Sequence, residues 1–189
     1  MMIRKILVTG FEPFDRDTTN PSGDFIDWMS KRNKHPDREV QGIILPVIFE
    51  GAFLKFKTVY DDFCPDIVIL TGLAKNRVQL TIERIGINWV DARIPDNDGV
   101  TLKAQKINEE GPDGLFTTVS IEEVMKISDS AGVPVKLSTS AGEYVCNDLL
   151  YKTLCYVKEK KTPTTFIHIP GAENYDGIYL ALEAVVNGL

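Results

Sequence analysis

Lys5-Ile6-Leu7-Val8-Thr9, followed by Gly10-Phe11, is the stretch that decides the fold. The run is short, apolar and rich in β-formers, and a glycine stops it, so it reads as a buried strand. The same type recurs at Asp66 to Thr71, closed by Gly72, and at Thr164 to Ile169. Between these runs the periodicity switches from continuous apolar to helical. Ser22 is placed to cap a helix reaching about Arg32, with Phe25, Trp28 and Met29 on one face. Residues 50 to 63 carry Phe53, Phe56, Val59, Tyr60 and Phe63 at helical spacing, and Pro65 follows.

Further outward, Val40 to Val47 and Val133 to Thr139 read as strands, and residues 175 to 187 as a final helix. Residues 77 to 90 alternate, but Glu83-Arg84 interrupts them, which predicts a long strand or a bulged hairpin. Residues 91 to 117, rich in Pro, Gly, Asp and Asn, predict one long connection, and loops of that length are usually functional or covering. Two capping-box patterns, Ser120 with Glu123 and Ser140 with Glu143, predict helices to about Ala131 and about Lys158. Strands and helices alternate without a Pro-, Gly- or Ser-rich linker. The expectation over residues 1–189 is a single three-layer α/β/α domain with a twisted, largely parallel mixed sheet. Sites in such sheets lie beyond the strand carboxyl ends, where Gly10-Phe11, Gly72-Leu73 and His168 fall.

Composition removes several classes. With 189 residues and 43% hydrophobic content, the chain can bury a real core. A net charge of -6 argues against nucleic acid as a partner, and the basic cluster of Lys31, Arg32 and Lys34 reads as a solvated helix end. The N-terminal apolar run is too short for a signal peptide, and no stretch has the length of a membrane span. Cys64, Cys146 and Cys155 lack zinc spacing, which predicts free thiols in a reducing compartment and no metal. The Asp- and Asn-rich stretch from Asp91 to Asn97 lacks EF-hand spacing.

Chemistry is left to few residues. Cys146 falls near the start of a helix that follows a strand, where free backbone amides can lower a thiol pKa. His168, ending the next strand, can serve as its base and then protonate a leaving amine. A carboxylate should orient that imidazole, and Glu83, Asp91, Asp96 and Asp98 are available; Glu83 is the one that breaks an apolar alternation. Each residue also has a plain reading. A helical cysteine is more often a small buried hydrophobe, and a strand-end histidine is usually a hydrogen-bonded surface residue. Glu83-Arg84 could be a salt-bridged strand edge. His35 reads as solvated, and Cys64 and Cys155 as packing residues.

Several ordered segments resemble the pyroglutamyl peptidase I family: Val8-Thr9-Gly10-Phe11-Glu12-Pro13-Phe14 with Asn20-Pro21-Ser22, Leu45-Pro46-Val47, Glu83-Arg84 with Asn88 and Asp91 to Asn97, Ser140 to Asn147, and Phe166 to Pro170. The resemblance implies a cytoplasmic, cofactor-free cysteine peptidase, commonly homotetrameric, with a catalytic triad at Glu83, Cys146 and His168. It implies substrates that are N-terminally pyroglutamylated peptides, held by Phe11, Phe14, Arg93, Ile94, Tyr144 and Val145, with Leu73 at a further substrate-binding position. The family's usual Gly-Gln-Ala-Gly-Gly-Arg stands here as Gly72-Leu73-Ala74-Lys75-Asn76-Arg77, and a common threonine as Val47. Leu73 cannot hydrogen-bond a lactam amide, and an unmet buried amide costs about 1–3 kcal/mol. A related cysteine amidase with altered acyl specificity, or a non-catalytic binding homologue, are the competing expectations.

Overall fold

A computed structural model describes residues 3–32 and 36–189. The readings of Lys34 and His35 fall outside the described residues. In chain order the elements are β1 (Arg4–Phe11), α1 (Pro21–Ser30), β2 (Arg38–Leu45), α2 (Gly51–Phe63), β3 (Ile67–Ala74), β4 (Thr81–Glu83), β5 (Ile85–Ile87), β6 (Gly114–Phe116), α3 (Ile121–Ser130), β7 (Lys136–Ser138), α4 (Val145–Val157), β8 (Thr164–Pro170) and α5 (Asp176–Gly188). A six-stranded sheet runs β2-β1-β3-β8-β4-β7. Its pairs are parallel except β8 with β4, so the expected largely parallel mixed sheet is what forms.

Strand side chains alternate between faces, and here both faces are covered. Leu7, Val68, Leu70 and Phe166 pack with Phe56 and Tyr60 of α2 and Leu149, Leu150 and Leu154 of α4. Ile6, Val8, Ile67, Ile69, Ile167 and Ile169 pack with Phe25 of α1, Val124 of α3 and Leu182 and Val185 of α5. That explains why the central strands read as continuous apolar runs. Truncating a buried anchor such as Phe166 should cost about 3–5 kcal/mol. The same parity has a functional result: Gly72, Glu83 and His168 share the strand face that α4 covers, the face of Leu70 and Phe166.

Several boundaries differ from expectation for identifiable reasons. Helix α1 is capped by Asn20, whose Oδ1 accepts from the Ser22 amide at 3.1 Å. The Ser22 hydroxyl is used elsewhere, accepting from the Phe11 amide at 3.0 Å. Ser120 does cap α3, accepting from the Glu123 amide at 3.2 Å. Ser140 does not cap α4. Its hydroxyl accepts from the Gly142 amide, Gly142 turns at φ +86°, and the helix starts at Val145 behind Tyr144, which gives no side-chain cap.

Residues 77 to 90 form neither one strand nor a bulged hairpin. β4 ends at Glu83, the Arg84 amide donates to the Ser138 carbonyl, and β5 leaves to pair antiparallel with β6 in a separate two-stranded sheet. The 91–117 connection therefore contains a strand. It is also pinned by buried Asp96, which accepts from the amides of Phe49, Asp98 and Val100. Cys64 is exposed at the left-handed C-cap of α2 rather than packed, and Cys155 is half-buried. Among the described residues no helix is long and apolar enough to cross a membrane, and no His/Cys/Asp/Glu group is arranged to hold a metal.

Candidate active site

A cavity of about 470 Å³ opens where β1, β3 and β8 end and α4 begins. Its wall includes Phe11, Phe14, Leu73, Tyr144, Cys146 and His168. Three local arrangements build it. Gly10 allows β1 to touch α1: a Cβ there would lie 2.0 Å from the Ser22 carbonyl oxygen, so glycine is required for Phe11 to reach the wall. Tyr144 donates to the Pro95 carbonyl at 2.8 Å and meets Phe49 edge-on, with ring centroids 5.4 Å apart. Asn97 ties the far loop to the Phe14 turn by donating to Glu12 Oε1 and the Pro13 carbonyl.

Cys146 is the second residue of α4. Its neighbour Asn147 is buried and accepts from the Ile87 amide at 3.0 Å while donating to the Ile87 and Trp89 carbonyls, both at 2.9 Å. The helix start is thereby fixed to β5. The Cys146 sulfur rests against Gly72, whose register partner across β3 and β8 is His168. The Phe166 ring lies against the His168 imidazole at 4.6 Å between centroids and also against Gly72.

Glu83 is fully buried on β4, and its Oε1 meets His168 Nδ1 at 2.7 Å. Burial pushes the Glu83 carboxyl up, but the bond and charge of His168, with nearby Ser138 and Arg77, outweigh it and hold it below its usual value. An ionised Glu83 makes Nδ1 the donor, which leaves Nε2 as the ring's free acceptor. Burial also pulls His168 below its ordinary value, against the pull of Glu83 and together with Arg77, so the imidazole is neutral. Glu83 Oε2 is buried without a hydrogen-bond partner; the carboxylate concentrates its bonds on one oxygen.

The thiol corrects an expectation. Burial first, and the Glu83 charge second, push Cys146 up to about 12, with Arg77 opposing. The helix start alone pointed the other way, but desolvation penalises the thiolate more. Burial thus favours the neutral form of both the thiol and the imidazole.

Of the sequence-predicted residues, Phe11, Phe14, Leu73, Arg93, Tyr144, Val145, Cys146 and His168 all line the cavity. Glu83 stands behind His168. Ile94 is exposed and not part of the wall. Asp91 and Asp98, also weighed as orienting carboxylates, are not at the site: Asp91 faces Lys103, and Asp98 is exposed and outside the cavity wall. Glu83 does not pair with Arg84, which is exposed. It pairs with Arg77, a residue that sequence reasoning did not single out. The available signal was a cation between a glycine-closed strand and a carboxylate embedded in an apolar one.

A buried carboxylate, an imidazole and a thiol at one cleft of an α/β sheet are the equipment of a cysteine hydrolase. Comparison with known proteins narrows that class. Residues 4–175 match the sequence profile described as pyroglutamyl peptidase. The pyrrolidone-carboxylate peptidase of Thermococcus litoralis is 38% identical over 89% of this chain and 77% of its own. That of Pyrococcus furiosus is 39% identical over 88% and 80%. Among solved structures, pyroglutamyl peptidase I from Bacillus amyloliquefaciens superposes with TM-score 0.92 at 30% identity, covering 99% of this chain and 95% of that one. An E192I mutant of the Pyrococcus furiosus pyrrolidone carboxyl peptidase gives 0.91 at 33%, covering 97% of both. The chain belongs to the pyroglutamyl peptidase family and is a cysteine-type hydrolase of the amide after an N-terminal pyroglutamyl residue.

Proposed function

We propose that Cys146 is the nucleophile, His168 its base and Glu83 the group that orients the imidazole, and that this single domain uses them on pyroglutamylated peptides. The observation that carries the assignment is the Glu83–His168 Nδ1 bond, which presents Nε2 as the free basic nitrogen of a histidine lining the same cavity as Cys146. His168 Nε2 takes the thiol proton as sulfur adds to the scissile carbonyl. The backbone amides at the uncapped start of α4 are suited to the developing oxyanion. The imidazolium then protonates the leaving amine, a thioester forms on Cys146, and water activated by His168 hydrolyses it.

The ring is neutral and compact, and Phe11, Phe14, Tyr144 and Val145 supply an apolar slot for it. Arg93 stands at the exposed part of the wall. Leu73 in that wall favours a second reading within the same chemistry, in which the acyl group need not be a lactam. We further propose a cytoplasmic homo-oligomer without a cofactor. Free thiols and family resemblance support the location, and the family's habit supports the assembly; sedimentation tests the latter.

The assignment is tested with a pyroglutamyl anilide. The wild type should release chromophore and Cys146→Ala should not. Equal release by both would defeat it.

A further inference from the structure

Arg77 makes more polar contacts around the triad than any single catalytic assignment requires. Its Nη1 bonds Glu83 Oε1, the oxygen that also holds His168, and Thr81 Oγ1. Its Nη2 bonds Ser138 Oγ at 3.3 Å and the Ser140 carbonyl at 3.0 Å. Three distinct pieces meet on one guanidinium: β4 with the carboxylate, the end of β7, and the segment that leads into α4 and Cys146. Arg77 itself lines the cavity.

We propose that Arg77 is a positioning residue for the hydrolysis, holding the Glu83 carboxylate at the angle His168 needs and balancing its charge beside the reacting thiol. The inference rests on the Glu83–His168–Cys146 reading. Glu83 has no hydrogen-bonding partner on Oε2, so its orientation depends on what Oε1 meets. A fork that binds both this oxygen and its surroundings fixes the carboxylate where a single bond would let it pivot. Charge balance gives the second role. Glu83 and Arg77 together are neutral, so a thiolate–imidazolium pair can form beside them without meeting a net buried charge. The charged and titratable groups around His168 are Glu83 on β4 and Arg77 on the loop before it, with Cys146, Tyr144, Lys75 and Arg93 on the same cavity wall. Arg77 disfavours the imidazolium and favours the thiolate, and Glu83 does the reverse.

The experiment compares wild type, Arg77→Met, Arg77→Lys, Glu83→Gln and the Arg77→Met/Glu83→Gln double variant on a pyroglutamyl anilide across pH. Arg77→Met should lower kcat by about 10- to 100-fold, the size seen when a supporting partner of an active-site ligand is removed. KM should change much less. The acid limb of kcat/KM should move to higher pH, because the imidazolium no longer faces the guanidinium charge. Arg77→Lys should restore the limb but not the full kcat, having charge without the fork. The double variant should be no slower than Glu83→Gln, since Arg77 acts through that carboxylate. A purely structural clamp would lower the melting temperature and leave the limb in place, which overturns the inference. So does a double variant whose losses multiply. If Arg77→Met does not fold, Arg77→Lys decides: wild-type kcat, or a reduced kcat together with a lowered melting temperature, overturns the inference, and reduced kcat at the wild-type melting temperature with an unmoved limb supports it. Glu83→Gln at wild-type rate defeats the triad reading itself, whereas a crippled Glu83→Gln beside an unaffected Arg77 variant defeats this inference alone.

Discussion

Gly72 and Cys146 approach so closely that a Cβ on the glycine would lie 2.9 Å from the sulfur, and equally close to the Phe166 ring. The glycine leaves room for the sulfur against β3, at the position whose register partner across the sheet is His168, and both side chains line one cavity. Gly72→Ala should displace sulfur or ring. Turnover should fall on the order of 100-fold, as expected for a misplaced reacting atom. Overpacking should also lower stability by about 1–3 kcal/mol. Steady-state kinetics with thermal melts check both, and unchanged values would contradict the close approach.

Glu83→Gln keeps the shape behind His168 and removes the charge. By analogy with triads that lose their carboxylate, kcat should drop about 10³- to 10⁴-fold. Arg77 would then face a neutral amide, so denaturant titration should also show a loss of about 1–3 kcal/mol. Wild-type turnover in this variant would remove Glu83 from the mechanism.

Stability should depend on pH in two separate windows. His168 is lowered in the folded protein, so the unfolded chain takes the proton first and stability falls as pH drops below 6.5. Glu83, also lowered, adds a loss in the same direction below 4.5. Cys146 is raised from 9.0 to about 12, so its contribution is complete below 9.0 and is lost as pH rises from there. The alkaline part is isolated by subtracting the denaturation profile of Cys146→Ala. A difference that stays flat above pH 9.0 would mean the thiol is not desolvated. The neutral imidazole also places the acid limb of kcat/KM below 6.5.

Leu73 presents a hydrocarbon where a lactam offers an N–H and a C=O. Apolar sites reject isosteres weakly, by about 10²-fold or less. The ratio of kcat/KM for pyroglutamyl over cyclopentanecarbonyl anilide should rise about 10-fold or more in Leu73→Gln. No change in the ratio would show that other groups read the ring.

Much of this arrangement was legible in the chain. Continuous apolar runs such as Lys5 to Thr9 mark strands covered on both faces, and Ser120 with Glu123 marks a true cap. Glu83 was legible because a carboxylate in an apolar alternation must face something polar. Ser140 misled because Gly142 can adopt a left-handed turn that its hydroxyl then serves, delaying the helix to Val145. The β5–β6 pair was hidden because three-residue strands leave little periodicity. Arg77 left only a weak signal, a cation between a glycine-closed strand and Glu83, and the raised thiol left none, because ion pairing and desolvation depend on neighbours brought together by folding.

The central claim is that sulfur of Cys146 carries the acyl group between two steps. Acid-quenching the enzyme during turnover of a pyroglutamyl ester, followed by peptide mass analysis, reads this directly. The account predicts a mass increase of one pyroglutamyl group on the peptide containing Cys146, labile to hydroxylamine as a thioester is. Turnover with that peptide unmodified under conditions that accumulate intermediates, or the acyl group found on another residue, would contradict it.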